Sequence, residues 1–264
     1  MVRDLERFSG IRFHNGRRYG TISYQKLRKG VEHMNKLGLI GGTGPESTIA
    51  YYKGIEYGVQ RKSGRNFFPN LTIESLSVFE VLSFCERQDY EGLAAYLLRG
   101  IQNLAAAGAQ YAALTGITPH IVFDRLAEQS PIPLVSMVDA ALDYAARQGY
   151  RKVCLLGTLP TMNGSFFQRS FAARGVEVVT PAEDEKNYIG AKIETELELG
   201  RVLPDTRDAF RRIAERSIRE EQVQAVVLGC TELPLIFQAV QLPVPYIDVM
   251  QVHINTLVDL ILAD

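Results

Sequence analysis

Short apolar runs rich in β-branched residues recur along this chain, separated by amphipathic stretches, and that alternation restricts the fold more than any other feature. Runs that read as buried strands fall at Leu37 to Gly41, Leu71 to Leu76, Tyr111 to Thr115, Leu134 to Met137, Lys152 to Gly157, Val176 to Thr180, Ala225 to Gly229 and Val244 to Ile247. Helical periodicity fills Ser47 to Gln60, Tyr90 to Ala107, Ala140 to Gln148, Asn163 to Arg174, Asp205 to Glu221 and Val249 to Leu262. Strand alternating with helix predicts an α/β fold of parallel sheets covered on both faces. The strands split into two comparable groups, with a crossover near Val135 to Asp139 and a return near Asp248. The expected division is a first lobe of 34–136 plus 248–264 and a second lobe of 137–247. Ligands then belong in a cleft between lobes, outside the carboxyl ends of the strands.

Composition narrows the function. A net charge of −1 over 264 residues leaves no basic footprint for nucleic acid. No apolar stretch is long enough to cross a bilayer and the N-terminus lacks a signal-peptide core, so no membrane partner and a cytoplasmic location are expected. Cys85, Cys154 and Cys230 form neither an even disulfide framework nor a metal-ligand spacing. Cys154 lies inside the apolar run Val153-Cys154-Leu155-Leu156 and reads as packing, as does Cys85 on a helix.

Residues 1–33 read differently, with Arg3, Arg7, Arg12, Arg17, Arg18 and Arg28 and little apolar periodicity. Lys29-Gly30-Val31 can be encoded by AAA-GGA-GTN, which carries a bacterial ribosome-binding sequence just ahead of the Met34 codon. The expectation is an extension foreign to the natural protein, with Met34 as its start. The competing reading is a basic arm that packs on a partner.

Three segments carry candidate chemistry. Ala225-Val226-Val227-Leu228-Gly229-Cys230-Thr231-Glu232-Leu233-Pro234 delivers a thiol from the end of a buried strand, with Gly229 read as the turn. A helix opening at Thr231 and Glu232 would stabilise a thiolate and a bound carboxylate and lower the thiol pKa. The alternative is a buried core cysteine. Gln110 to Gly116 repeats the layout, with Ile117-Thr118-Pro119-His120 leading into a helix-like stretch from Ile121 to Ala127. Gly41-Gly42-Thr43-Gly44-Pro45-Glu46-Ser47 is an incomplete dinucleotide fingerprint, interrupted by Pro45 and with only Glu74 in place to hold a ribose. A loop whose backbone and Thr43 line the cleft is the favoured reading.

Together these segments, from about Met34 to the C-terminus, resemble the aspartate/glutamate racemase family. The resemblance implies two similar α/β lobes related by a pseudo-twofold axis, no cofactor, no metal, and a homodimer acting on an amino acid or related carboxylic acid. Family members place one cysteine in each lobe, on opposite sides of the substrate α-carbon. Where the first motif usually reads Cys-Asn-Thr-x-His or Thr-Asn-Thr-x-His, this chain reads Gly116-Ile117-Thr118-Pro119-His120. The resemblance thus implies Cys230 as the surviving acid/base, with His120 and Glu232 as its polar partners. It places Gly42, Thr43, Gly116, Ile117, Thr118 and Thr231 on the substrate, Thr118 and Thr231 as a symmetry-related pair. Thr115 is set aside, because neighbours on a strand point to opposite faces. The related arylmalonate decarboxylases also pair a glycine with a lone cysteine, so a single-thiol decarboxylase is the alternative activity, and a silent small-acid-binding protein the third. Acidic-substrate members hold the side-chain carboxylate with cationic residues, but no Lys or Arg occurs between Asn66 and Glu86, and Tyr188 stands opposite the family's lysine. A neutral or aromatic substrate is therefore expected over aspartate.

Overall fold

The computed structural model describes residues 35–263. The N-terminal extension expected at 1–33 lies outside the described residues. The first half runs β1 (Leu37–Gly41), α1 (Pro45–Ser63), β2 (Leu71–Ser75), α2 (Val78–Glu86), α3 (Tyr90–Ala106), β3 (Tyr111–Leu114), a 3-10 turn (Thr118–Val122), α4 (Phe123–Gln129) and β4 (Leu134–Val135). Helix α5 (Met137–Arg147) crosses to β5 (Lys152–Gly157), α6 (Leu159–Asn163), α7 (Phe166–Ala172), β6 (Glu177–Val179), α8 (Glu183–Thr195) and a 3-10 turn (Leu197–Leu199). Then follow α9 (Pro204–Glu221), β7 (Ala225–Gly229), α10 (Pro234–Phe237), β8 (Tyr246–Asp248) and α11 (Val249–Ile261).

Two four-stranded parallel sheets result, ordered β2-β1-β3-β4 and β6-β5-β7-β8, the same order in each. Their central strands are buried on both faces, and alternate residues feed different cores. Leu37, Leu39, Val153, Leu155, Ala225 and Val227 enter one cluster that draws on both sheets, whereas Ala112 and Leu114 face a cluster of the first sheet, and Cys154, Leu156, Val226 and Leu228 one of the second. Cys154 is thus a packing residue.

Helix α11 returns to α1 through small residues. A Cβ on Gly54 would meet Ile254 at 3.0 Å and one on Gly58 would meet Val258 at 2.7 Å, so the two glycines let the helices touch.

Several expected elements are trimmed or divided. The run from Leu134 to Met137 yields only a two-residue strand, because Ser136 Oγ accepts from Asp139 N at 3.1 Å and caps α5 at once. The helix expected over Asn163 to Arg174 begins at Phe166, since Gly164 is extended and separates it from α6.

Candidate active site

Strand register fixes which residues of the two sheets correspond. Matching the terminal glycines Gly41 and Gly157 aligns Leu37 with Val153, and hence their partners Tyr111 and Ala225. Counting on from that pair makes Gly116 the counterpart of Cys230, Ile117 of Thr231 and Thr118 of Glu232. Thr118 and Thr231, expected as a matched pair, are offset by one position.

These strand ends meet at a cavity of about 40 Å³. Thr43, Gly116, Ile117, Thr118 and Pro119 line it from the strand ends of the first sheet, Val78, Val81 and Leu82 from α2, Thr158, Cys230, Thr231 and Glu232 from the strand ends of the second sheet, and Glu198 from the 3-10 turn that follows α8. At roughly 10–15 Å³ for each water, the space holds only a few solvent molecules.

Cys230 is 4 % exposed. Its Sγ donates to Glu232 Oε2 at 2.9 Å, and Thr231 Oγ1 donates to the same carboxylate at 3.0 and 2.9 Å. Burial, followed by the negative charge of Glu232, pushes the thiol well above its ordinary range, so the side chain rests protonated. This reverses the sequence expectation of a lowered pKa. The chain turns through 231–233 before a single helical turn, Pro234–Phe237, and that is too short to oppose a carboxylate in direct contact. Gly229 is needed for space rather than for turning. A Cβ there would stand 2.6 Å from Leu155 Cδ1 and 2.9 Å from the Leu156 carbonyl.

On the first-sheet side, a Cβ on Gly116 would stand 3.0 Å from Thr43 Oγ1 and 3.2 Å from the Thr43 carbonyl. The Thr43 hydroxyl is therefore the protic group nearest the vacant side-chain position. Thr115 is fully buried and does not line the cavity; its hydroxyl donates to the Ile40 carbonyl at 3.0 Å and lies 3.5 Å from Thr43 Oγ1. Gly44 completes the junction, since a Cβ there would stand 3.3 Å from Glu232 Oε1.

His120 and Gly42 do not line this cavity. Met137 N donates to His120 Nε2 at 3.1 Å, which leaves Nδ1 protonated and donating to the Gly116 carbonyl at 3.1 Å. Desolvation lowers its pKa to about 4, so the ring is a neutral brace behind the first motif. It also borders a larger cavity of about 250 Å³ with Asp124, Ser136, Asp139 and Arg169, which contains no thiol. Gly42 has φ 74 and its N–H donates to Thr48 Oγ1 at 2.9 Å, so that donor serves the loop itself. Glu74, the only candidate for a ribose contact, accepts from Asn103 Nδ2 at 2.8 Å.

Sequence reasoning missed two polar cavity residues, Thr158 and Glu198. Thr158 Oγ1 lies 3.3 Å from Thr118 Oγ1 and 3.0 Å from Thr161 Oγ1, joining hydroxyls of both sheets. It follows β5 as Gly42 follows β1, so an internal repeat alignment would have found it. Glu198 sits in the 3-10 turn that ends at Gly200 with φ 68, and nothing in the alternating sequence Glu194-Thr195-Glu196-Leu197-Glu198 marks it as inward-facing. Burial, then the charges of Glu232 and Glu194, push its carboxyl up to about 7. Among the described residues, no group of three or more His, Cys, Asp or Glu side chains is placed to hold a metal ion.

Comparison with known proteins identifies the lineage. Residues 40–257 match the model of the Asp/Glu/hydantoin racemase family. The chain belongs to that family. A solved aspartate racemase homologue from Pyrococcus horikoshii OT3 is 35 % identical, with a TM-score of 0.75 over 86 % of this chain and 99 % of its own. A Yersinia pestis protein proposed to be an Asp/Glu racemase is 32 % identical, with a TM-score of 0.80 over 87 % of this chain and all of its own. The broad specificity amino-acid racemase RacX of Bacillus subtilis (strain 168) is 20 % identical over 216 residues, covering 80 % of this chain and 92 % of RacX. The family's two-sheet α/β architecture is the one described above, and none of the described helices is long and apolar enough to cross a membrane.

Proposed function

We propose that this protein is an amino-acid racemase-type isomerase, cofactor-independent, acting at the α-carbon of a small amino acid with Cys230 as its acid/base. The observation that carries the reading is the Cys230 thiol, hydrogen-bonded to Glu232, in a cavity that Gly116 and Thr43 also line. Abstracting an α-proton without an imine or carbonyl sink demands a base shielded from water and hydrogen bonds to the carboxylate. Glu232 accepts the thiol proton as substrate enters, the thiolate takes the α-proton, and the carbanion is reprotonated. The hydroxyls of Thr43, Thr118 and Thr158 are the neutral donors available to the α-carboxylate.

On the Cys230 face the proton returns quickly. On the opposite face only a threonine hydroxyl or water can deliver it, and both are weak acids without activation. Exchange of the α-hydrogen with solvent is therefore expected to outrun inversion of configuration. The test is incubation with single amino-acid enantiomers in deuterated water, following label by mass spectrometry and handedness by chiral chromatography. No exchange with any amino acid would remove this reading, and carbon dioxide release from a substituted malonate would favour the decarboxylase alternative. The family resemblance also motivates a cytoplasmic homodimer, which light scattering of the purified protein would test.

A further inference from the structure

We propose that this cavity selects amino acids whose side chain carries no negative charge, with Glu198 holding the substrate's α-ammonium group; this rests on the function proposed above. Two charged side chains line the cavity among the described residues, and both are carboxylates, Glu198 and Glu232. Glu232 is committed to Cys230 and Thr231. Glu198 makes no hydrogen bond or ion pair with any described residue, although it is half-buried and repelled by Glu232. A carboxylate in that position is satisfied by a cation, and every amino acid brings one.

A side-chain carboxylate has no such partner. Lys186 pairs with Glu183 and Asn163, Lys192 pairs with Glu196, and neither lines the cavity. A dicarboxylic amino acid would bring a second carboxylate into a space already lined by two, with no cation to offset it. Like-charge juxtaposition is an effective device for excluding such a ligand. The wall formed by Val78, Val81 and Leu82 offers apolar contact instead.

Calorimetric titration of the full protein with L-leucine, L-glutamate and 4-methylpentanoate, which is leucine without its amine, separates the contributions. L-leucine is expected to bind at least tenfold tighter than either of the others. Glu198→Gln, an isosteric change at a half-exposed site, is expected to bring leucine and 4-methylpentanoate within threefold of each other. Glutamate binding as tightly as leucine, no measurable leucine binding, or a Glu198→Gln variant that keeps the full preference for the amine would overturn the proposal. Solvent exchange measured with the same ligands keeps the two readings apart. Rapid exchange of glutamate with none of leucine would retain the racemase-type function and remove this specificity, whereas selective leucine binding without exchange would do the reverse.

Discussion

At Cys230 the thiol pKa is set by its immediate neighbours, and the carboxylate of Glu232 at 2.9 Å holds it high together with burial. Glu232→Gln removes the charge while keeping the shape, so the pH midpoint for iodoacetamide alkylation of Cys230 is expected to move down, read by peptide mass spectrometry. A midpoint that stays put would show that Glu232 does not control the thiol. In the unaltered protein Cys230 is expected to label no faster at pH 7 than Cys85, which is the more exposed of the two. Cys230→Ser is expected to lower α-hydrogen exchange by roughly a hundredfold or more, since a hydroxyl cannot take over the proton transfer at neutral pH. Full activity in that variant would end the assignment. Gly116→Cys puts a thiol at the counterpart position, but its Cβ presses on Thr43 Oγ1 at 3.0 Å. Overpacking of this kind costs about 1–3 kcal/mol, and the expected return is inversion that keeps pace with exchange. If inversion still lags behind exchange in a folded Gly116→Cys protein, the two strand ends do not face one substrate carbon.

Among the elements, the α1–α11 contact shows how a local sequence choice decides long-range packing. Gly58→Val would drive side-chain atoms into Val258, already 2.7 Å from a single added Cβ, and is expected to cost about 1–3 kcal/mol in urea unfolding. Val258→Ala in the same chain should recover part of that loss, and an additive result would place the strain elsewhere. The glycines on α1 are visible in the sequence, but the residues they meet on α11 lie 200 positions further along, so only the structure shows what they serve. Strands β1, β5 and β7 were legible to the residue because their apolar runs are buried on both faces and bounded by glycine. Edge strands β4, β6 and β8 were legible only in outline, since capping by Ser136 and short pairings set their ends. The thiol and its glycine counterpart could be read from position along the strands. Glu198 could not, because its inward aspect comes from the turn ending at Gly200, and neither could the commitment of both His120 nitrogens to backbone.

For the molecule as a whole, the passage from the first sheet to the second is held by two buried neutral histidines. His120 accepts from Met137 N, and His253 on α11 donates through Nε2 to the Val135 carbonyl at 3.2 Å while Tyr51 Oη donates to its Nδ1 at 2.7 Å. Val135 ends β4 and Met137 opens α5, so one short crossover is gripped from both sides. Burial lowers the two pKa values to about 4 and about 3 from an ordinary 6.5, and mutual repulsion with His120 adds to the shift of His253. Between pH 6.5 and those values the unfolded chain binds more protons than the folded one, so stability falls as the pH drops. Each histidine contributes a slope of about 1.4 kcal/mol per pH unit in that window. Glu198 and Asp248 act with the opposite sign, because their raised pKa values let the folded protein take up protons first. The histidine contribution is isolated by His253→Asn, whose amide can accept from Tyr51 at the Nδ1 position and has no proton to titrate in this range. Whatever that change does to stability at pH 7, the loss of unfolding free energy between pH 6 and pH 5 is expected to shrink by about 1.4 kcal/mol, measured by urea unfolding at each pH. An unchanged slope would mean that His253 keeps an ordinary affinity for protons in the folded protein, and that the grip on the crossover is not what acid releases.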